Sequence, residues 1–550
     1  MGISYKITCD RCGAQYPEEI DSEIYEGSSF GMSPDDVAWK IRDNYWLITI
    51  DNKVLCPICN VTKDSDADEV DDDSNAWHRK GIEFGKSGSY EEALRAIDKA
   101  LELNPDVSTA WYNKGVALDN LGRYEEALQA YGKALELKSD DSDTWHRKGG
   151  TLDNLGRYEE ALLAIEKALK LNPDISNAWY HKGIALDNLG RNEEALQAYD
   201  KALELKPDNF NAWHRKGGTL YNLGRYEEAL QAYEKALELN PDDSATWHRQ
   251  GETLDNLGRY QEALQAYDKV LERNPNDFKA WNNKGIALDK SGRYAEALQV
   301  INKALELNPD DSIAWNNKGM VLDNLGRYEE ALPAYDKVLE LNPNDSDAWN
   351  NKGAMLYYLG RHEEALQAID KALELNSDDS IAWNRKGVVL DNLGRYEEAL
   401  QTINKALELN PDVSIAWYNK GATLYYLSRY EEALQAYDKA LEFKPDNSNA
   451  WHRKGNALDN LGRYKKALRA YDKALELNPG DSNAWNRKGG TLYHLGRYKE
   501  ALQAIDKALE LNPDDSNAWN NKGGTLYYLG RHEEAQIAFK KASELNIKPK

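Results

Sequence analysis

The chain has few cysteines: four in 550 residues, all of them before residue 60. That number is too small for a secreted fold built on disulfides. Long apolar stretches are also missing, because no segment approaches the roughly 18 apolar residues that a membrane-spanning helix needs. The first ten residues, MGISYKITCD, lack the basic and apolar regions of a signal peptide. These absences predict a soluble, cytoplasmic protein with no membrane partner.

Positive charge is in deficit as well. The formal net charge is −24, and no block of basic residues occurs anywhere in the chain. Such a surface repels nucleic-acid phosphate, so no nucleic-acid partner is expected. A basic protein or peptide is the partner that the charge favours, since net charge governs encounter more than it governs fold.

Tryptophan, in contrast, is plentiful and evenly spaced. Of the 16 tryptophans, 14 recur at intervals of 34 residues from Trp77 to Trp519, without insertion or deletion. A fixed period of this length is typical of an array of stacked supersecondary units. The array occupies residues 74–549. Before it lie an acidic linker at residues 63–73 and a cysteine-bearing segment at residues 1–62.

One repeat, residues 312–345, shows what each unit is expected to build. Its first half has tryptophan, glycine and leucine at positions i, i+4 and i+7, which is one face of a helix. Ser312 is the expected N-cap, Gly326 suits a left-handed turn, and Pro343 ends a second helix. All fourteen repeats carry glycine four places and alanine sixteen places after tryptophan. These small residues indicate that two helices pack closely.

The order of these residues resembles the tetratricopeptide repeat. The shared pattern is Trp, Gly and Leu, then Gly-Arg-Tyr, Ala, Tyr or Ile, Ala and Pro, and it covers residues 74–549. The resemblance implies an all-α, right-handed superhelical solenoid of helix-turn-helix hairpins, in which the first helices line a concave groove. It also implies a protein-protein interaction scaffold that is not an enzyme. One departure is Ser428, which stands where the other repeats have the turn glycine.

In this family the two residues after tryptophan face or border the groove, and asparagine fills both places in several repeats. A row of amide groups can hold the backbone of an extended peptide, and tyrosine adds rigid contact area. The predicted partner-binding residues are Asn282, Asn283, Asn316, Asn317, Asn350, Asn351, Tyr357 and Tyr425. For individual polar residues the alternative stays open that neighbouring repeats simply satisfy each other's side chains.

Two functions remain open for the array. The first is an adaptor that binds a peptide or helical segment of a protein partner. The alternative is a structural protein whose similar repeats self-associate. An enzyme is not expected, because no nucleophile recurs with the histidines at a fixed offset and no glycine-rich phosphate loop precedes a helix.

The N-terminal segment contains two CxxC pairs, formed by Cys9, Cys12, Cys56 and Cys59. Four thiolates on two tight turns can hold one tetrahedral ion, and a small segment gains stability from it. The pattern is similar to zinc-ribbon or treble-clef modules, so a small α+β module with a structural Zn²⁺ is predicted. It includes a helix with Ser33 as its N-cap and Pro34 at its first position, and a hairpin in WLITI-DNK-VLC. Thiol redox chemistry and iron remain the alternatives.

Overall fold

The computed structural model describes residues 74–547 and four two-residue strands near the N-terminus. The strands are β1 (Ser4–Tyr5), β2 (Ile20–Asp21), β3 (Leu47–Ile48) and β4 (Val54–Leu55). Strand β1 pairs with β2 and β3 pairs with β4, both antiparallel. Leu47 lies opposite Leu55, which confirms the hairpin predicted in this stretch.

Several predictions for the N-terminal segment fall outside the described residues. They concern the metal ligands Cys9, Cys12, Cys56 and Cys59, the helix expected from Ser33, and the acidic linker at residues 63–73.

Residues 74–547 fold into 28 α-helices, which the structure groups into two compact parts divided after Arg273. The N-terminal part contains α1 (Ser74–Lys86), α2 (Tyr90–Leu103), α3 (Ser108–Asn120), α4 (Tyr124–Leu137), α5 (Ser142–Asn154), α6 (Tyr158–Leu171), α7 (Ser176–Asn188), α8 (Asn192–Leu205), α9 (Phe210–Asn222), α10 (Tyr226–Leu239), α11 (Ser244–Asn256) and α12 (Tyr260–Arg273).

The C-terminal part contains the other helices. They are α13 (Phe278–Lys290), α14 (Tyr294–Leu307), α15 (Ser312–Asn324), α16 (Tyr328–Leu341), α17 (Ser346–Tyr358), α18 (His362–Leu375), α19 (Ser380–Asn392), α20 (Tyr396–Leu409), α21 (Ser414–Tyr426), α22 (Tyr430–Phe443), α23 (Ser448–Asn460), α24 (Tyr464–Leu477), α25 (Ser482–His494), α26 (Tyr498–Leu511), α27 (Ser516–Tyr528) and α28 (His532–Ile547).

Each odd-numbered helix packs against the helix that follows it, so every repeat is one hairpin. Within each part, the second helix of a hairpin also packs against the first helix of the next hairpin. The apolar stripes of the hairpins are buried by this stacking. The prediction of an all-α solenoid of helical hairpins is therefore confirmed for each of the two parts.

The ends of the helices follow the turn chemistry of the sequence, with one shift at the N-cap. In the repeat considered above, Asp311 rather than Ser312 caps α15, and its carboxylate accepts hydrogen bonds from two backbone N–H groups. The prediction of Ser312 was wrong by one residue, because a carboxylate satisfies two free N–H groups at the positive end of the helix dipole. Gly326 adopts φ +69°, as the turn requires.

The interior of each hairpin depends on two small residues that occupy the same places in every repeat. The alanine sixteen places after each tryptophan is at most 1% exposed in all fourteen repeats. The glycine four places after tryptophan lies against the bulky side chain that stands twenty places after the same tryptophan. A Cβ on Gly319, for example, would lie 2.6 Å from the ring of Tyr335. Only glycine allows this separation of the two helices.

Two adjacent glycines in α25 provide a test of this packing. A Cβ on Gly489 would lie 2.5 Å from Ile505, whereas a Cβ on Gly490 would meet no atom within 4 Å. We expect Gly489→Ala to lower the free energy of unfolding by about 1–3 kcal/mol through overpacking. Gly490→Ala should raise it by up to about 1 kcal/mol through helix propensity. Urea unfolding followed by circular dichroism measures both, and equal effects of the two changes would contradict the packing argument.

Ser428 generates a second prediction. It adopts φ +59° at the turn where the thirteen other repeats have a glycine at positive φ. A residue with a Cβ is strained in the left-handed region by roughly 1–2 kcal/mol. Ser428→Gly should therefore raise the free energy of unfolding by about 1 kcal/mol. The converse change, Gly394→Ser, places the same strain in the preceding repeat and should lower it by a similar amount, so an unchanged stability in both variants would refute the account.

Candidate protein-binding face

In both parts, first helices of consecutive hairpins pack side by side, for example α1 with α3 and α19 with α21, and together they present one surface. We call this surface the first-helix face. It consists of the residues two places before and one, two, five and eight places after each tryptophan. Those places share one side of a helix because they are separated by three or four residues. The predicted asparagines and tyrosines all belong to it.

The first residue after tryptophan lies at the joint between neighbouring repeats. Asn282 is only 5% exposed, and its Oδ1 accepts a hydrogen bond of 3.0 Å from Nδ2 of Asn317 in the next repeat. The same bond links Asn419 to Asn384 and Asn521 to Asn486. The same amide–amide hydrogen bond thus links neighbouring repeats at three joints of the C-terminal part.

Asn350 is also a joint residue, with 5% of its surface exposed. Its Nδ2 donates to Asp379, the N-cap of the next first helix, at 3.2 Å. The guanidinium of Arg385 donates both to the backbone oxygen of Asn350 and to Oδ1 of Asn351. The structure therefore places part of the asparagine row in contacts between repeats, as the alternative of mutual satisfaction anticipates.

Four of the six asparagines remain half-buried on the first-helix face. They are Asn283, Asn316, Asn317 and Asn351. The side-chain amide of Asn316 donates a weak hydrogen bond to the sulfur of Met320, at 3.6 Å. These four side chains are accessible to a partner, and their role in binding stays a prediction.

Tyr357 and Tyr425 are half-buried and are held by the following repeat. Their hydroxyl oxygens accept hydrogen bonds from Asn392 at 3.2 Å and from Asn460 at 2.9 Å. Each ring meets the edge of an exposed tyrosine next in sequence, Tyr358 or Tyr426. The two predicted tyrosines therefore belong to larger aromatic clusters that the sequence did not reveal.

Aspartate eight places after tryptophan has a structural partner in several repeats. A threonine of the next repeat donates to Asp119, Asp187, Asp391 and Asp459. Burial raises the pKa of all four carboxyl groups, and it raises the pKa of Asp391 to about 6. The face therefore contains carboxylates that are poorly solvated, in contrast to the exposed, ion-paired glutamates of the second helices, such as Glu126.

Two features of the face were missed at the sequence level. Three isoleucines two places before tryptophan are exposed in the C-terminal part: Ile313 (64%), Ile381 (61%) and Ile415 (52%). In most other repeats this place holds a polar residue, so the repeat pattern does not predict an exposed isoleucine there. The other feature is a polar pocket of about 610 Å³, lined by residues that include Tyr418, His452, Arg453, Asn456 and Arg487. The sequence feature that points to this pocket is Asn456, the one asparagine that stands five places after a tryptophan of the array.

The helices of the described region differ from membrane-spanning segments. None of those within residues 74–547 combines the length and the apolar character that crossing a bilayer requires.

The geometry defines a class of protein, a solenoid of stacked helical hairpins with a mixed polar and apolar face. Comparison with protein families gives the family. The tetratricopeptide repeat model matches residues 78–142, 147–210, 384–448, 452–516 and 495–546, which together exceed half of the chain. The chain belongs to the tetratricopeptide repeat family. It is accordingly a non-enzymatic protein-interaction scaffold. A second model, the C-terminal domain of cilia and flagella-associated protein 70, matches residues 206–414.

Several solved structures are similar to the chain. The Cut9–Hcn1 hetero-tetramer of the APC/C is 17% identical, with 82% of this chain and 96% of that chain covered and a TM-score of 0.40. Yeast Tom70 is 18% identical, with 86% and 99% covered and a TM-score of 0.36. YrrB, described as a repeat protein with an unusual peptide-binding site, is 29% identical, with 34% and 96% covered and a TM-score of 0.30. No curated protein matches the chain.

Proposed function

We propose that the first-helix face of the C-terminal part binds an extended or helical segment of a protein partner. The observation that carries this proposal is the exposure of Ile313, Ile381 and Ile415 beside half-buried amide groups. Ile381 and Ile415 occupy this place in consecutive repeats. Exposed aliphatic side chains grouped on one face mark interaction surfaces. Amide groups next to them can bond the backbone of a peptide whatever its side chains are.

The residues of the first-helix face have two roles: some hold neighbouring repeats together, and others are accessible to a partner. Asn282 and Asn350 are buried and hold neighbouring repeats in register. Asn283, Asn316, Asn317 and Asn351 are the amides that a partner reaches, with Tyr357 and Tyr425 as aromatic contacts. Because rigid helices present these groups in advance, binding loses little ordering entropy on the side of the scaffold.

A triple variant tests the face without disturbing the joints. Ile313→Ser, Ile381→Ser and Ile415→Ser remove exposed side chains only, so the fold should be unchanged. In affinity capture from host lysate, we expect the full chain to retain a protein partner and the triple variant to lose it. With the purified partner, titration calorimetry should show affinity at least tenfold lower for the triple variant.

The matched control is Leu163→Ser, which removes a side chain that is equally exposed (63%) on the second helix α6. It should bind like the unmodified chain. Undiminished affinity of the triple variant would contradict the proposed face. If neither chain captures a partner and both elute as concentration-dependent assemblies, the structural, self-associating alternative takes its place.

We also propose that Cys9, Cys12, Cys56 and Cys59 bind one structural Zn²⁺. In support, strand β4 ends at Leu55, directly before the second CxxC pair, as hairpins that carry metal-binding turns do. Four thiolates leave no open position for water, so the ion would stabilise the segment rather than catalyse.

Metal analysis of the full chain, purified without oxygen, tests this second proposal. We expect the double variant Cys56→Ser/Cys59→Ser to contain about one equivalent of zinc less than the unmodified chain, because two thiolates alone bind zinc weakly. Asp10→Ala, a change between the first two cysteines, is the control and should keep the zinc. Iron in place of zinc, or no bound metal, would overturn the assignment.

A further inference from the structure

A surface patch of positive charge lies on the second helices of the twelfth and thirteenth repeats. Helix α24 contains four cations and two acids, whereas α22, one repeat earlier, contains one cation and four acids. Helix α26 adds Lys499 at the place that Lys465 holds in α24. We call the exposed residues Lys465, Lys466, Arg469 and Lys499 the basic patch. Such a concentration of cations is unexpected in a chain with a net charge of −24.

The basic patch interrupts an ion pair that nearly all repeats share. The residue fifteen places after tryptophan is glutamate in thirteen repeats and lysine only at Lys466. In the preceding repeat this glutamate, Glu432, pairs with the turn residue Arg429. Arg463, the equivalent arginine of the twelfth repeat, pairs instead with Glu431 of the preceding repeat at 3.1 Å. The first turns of consecutive second helices are therefore close enough for their side chains to meet.

The cations of the basic patch do not stabilise the helix that carries them. Lys465 and Lys466 lie in the first turn of α24, at the positive end of the helix dipole, where carboxylates are preferred. Lys465 and Arg469 are four residues apart, and like charges at that spacing repel each other. Within residues 74–547 none of the four patch cations forms an ion pair, and the nearby carboxylates pair with other cations: Glu431 with Arg463, Asp472 with Lys488, Glu476 with Lys473 and Glu500 with Arg497. Binding of a negatively charged segment accounts for the patch, whereas stability of the array does not.

The chain also carries a segment of the opposite charge. The acidic linker, residues 63–73, holds seven acidic groups and one lysine, and it lies outside the described residues. Fully extended, a segment of this length spans up to about 36 Å. Helix α24 has 14 residues and is therefore about 21 Å long. The acidic linker is thus long enough to cover the basic patch.

We propose that the basic patch binds the acidic linker of a second copy of the chain. Every copy supplies one linker and one patch, so two copies related by a twofold axis make two identical contacts and leave neither segment unpaired. Once the first contact has formed, the second becomes intramolecular and adds to the affinity. The patch lies on second helices and shares no residue with the first-helix face. This dimer therefore does not depend on the proposed binding of a protein partner at that face.

Electrostatics sets the conditions for the dimer. The net charge of −24 on each copy opposes their approach. At about 0.15 M salt this repulsion is screened beyond about 8 Å, while charges in direct contact still attract each other. At about 1 M salt the screening length falls to about 3 Å, so the contacts between linker and patch weaken as well. The competing occupants of the patch are an acidic segment of another protein and a polyanion such as a nucleic acid, and both leave the purified chain monomeric.

Sedimentation velocity of the full chain, in reducing buffer at several protein concentrations, tests the proposal. We expect a concentration-dependent dimer at about 0.15 M salt that dissociates at about 1 M. Lys465→Glu/Lys466→Glu restores the glutamates that most other repeats hold, so the array should fold at least as stably, which thermal unfolding followed by circular dichroism checks. The dimer dissociation constant of this variant should be higher by roughly tenfold or more. The control Lys540→Glu/Lys541→Glu changes the net charge equally at two other exposed lysines, on α28, and should dimerise like the unmodified chain.

A charge exchange identifies the two segments that meet. One chain receives a basic linker through Asp68→Lys, Asp71→Lys, Asp72→Lys and Asp73→Lys. The other receives an acidic patch through Lys465→Glu, Lys466→Glu and Lys499→Glu. Neither chain should dimerise alone, whereas an equal mixture should form a heterodimer, because each linker then meets a patch of opposite sign. The proposal is wrong if the unmodified chain is monomeric, if the double variant dimerises as tightly as the unmodified chain, or if the mixture stays monomeric.

Discussion

The close approach of two helices within each hairpin is the constraint on which the rest of the structure depends. In every repeat, a Cβ on the glycine four places after tryptophan would overlap the tyrosine, isoleucine or phenylalanine twenty places after it. The missing side chain sets the distance between the helices. That distance in turn determines where the second helix meets the next hairpin, and so it brings consecutive first helices side by side. The first-helix face is a consequence of this packing.

The same residues serve the joints and the face, which links stability to recognition. Asn282 and Asn317 show the overlap, because one amide is buried in the joint while its partner remains accessible beside it. A change at an accessible place such as Ile313 alters recognition alone. A change at Asn282 would also remove a hydrogen bond between repeats, leaving Nδ2 of Asn317 without that acceptor. The binding test above therefore uses the isoleucines and avoids the asparagines.

The sequence predicted the hairpins well because their determinants are local. Turn glycines, the proline after the second helix and the spacing of small residues all act within one 34-residue unit. Contacts between repeats were harder to foresee. The bond from Asn317 to Asn282 spans 35 residues, and only the stacking of hairpins shows that the second place after one tryptophan meets the first place after the preceding one. The exposed isoleucines were missed for a simpler reason, since most other repeats hold a polar residue at that place.

The joints also explain how nearly identical repeats acquire separate roles. The glycine four places and the alanine sixteen places after tryptophan are the same in all fourteen repeats, because the hairpin interior tolerates little change there. At the joints, by contrast, the second place after tryptophan holds arginine, asparagine or histidine. The place that donates to the aspartate of the preceding repeat holds threonine in several repeats and alanine at Ala185. Since each repeat contacts only its neighbours, the energetic effect of such an exchange stays local. The exchange of threonine for Ala185 together with the appearance of His181 changes one joint and leaves the next, at Asp187 and Thr219, with its ordinary hydrogen bond. An array of this kind can therefore vary the contacts at one joint without altering the scaffold that presents the binding face elsewhere.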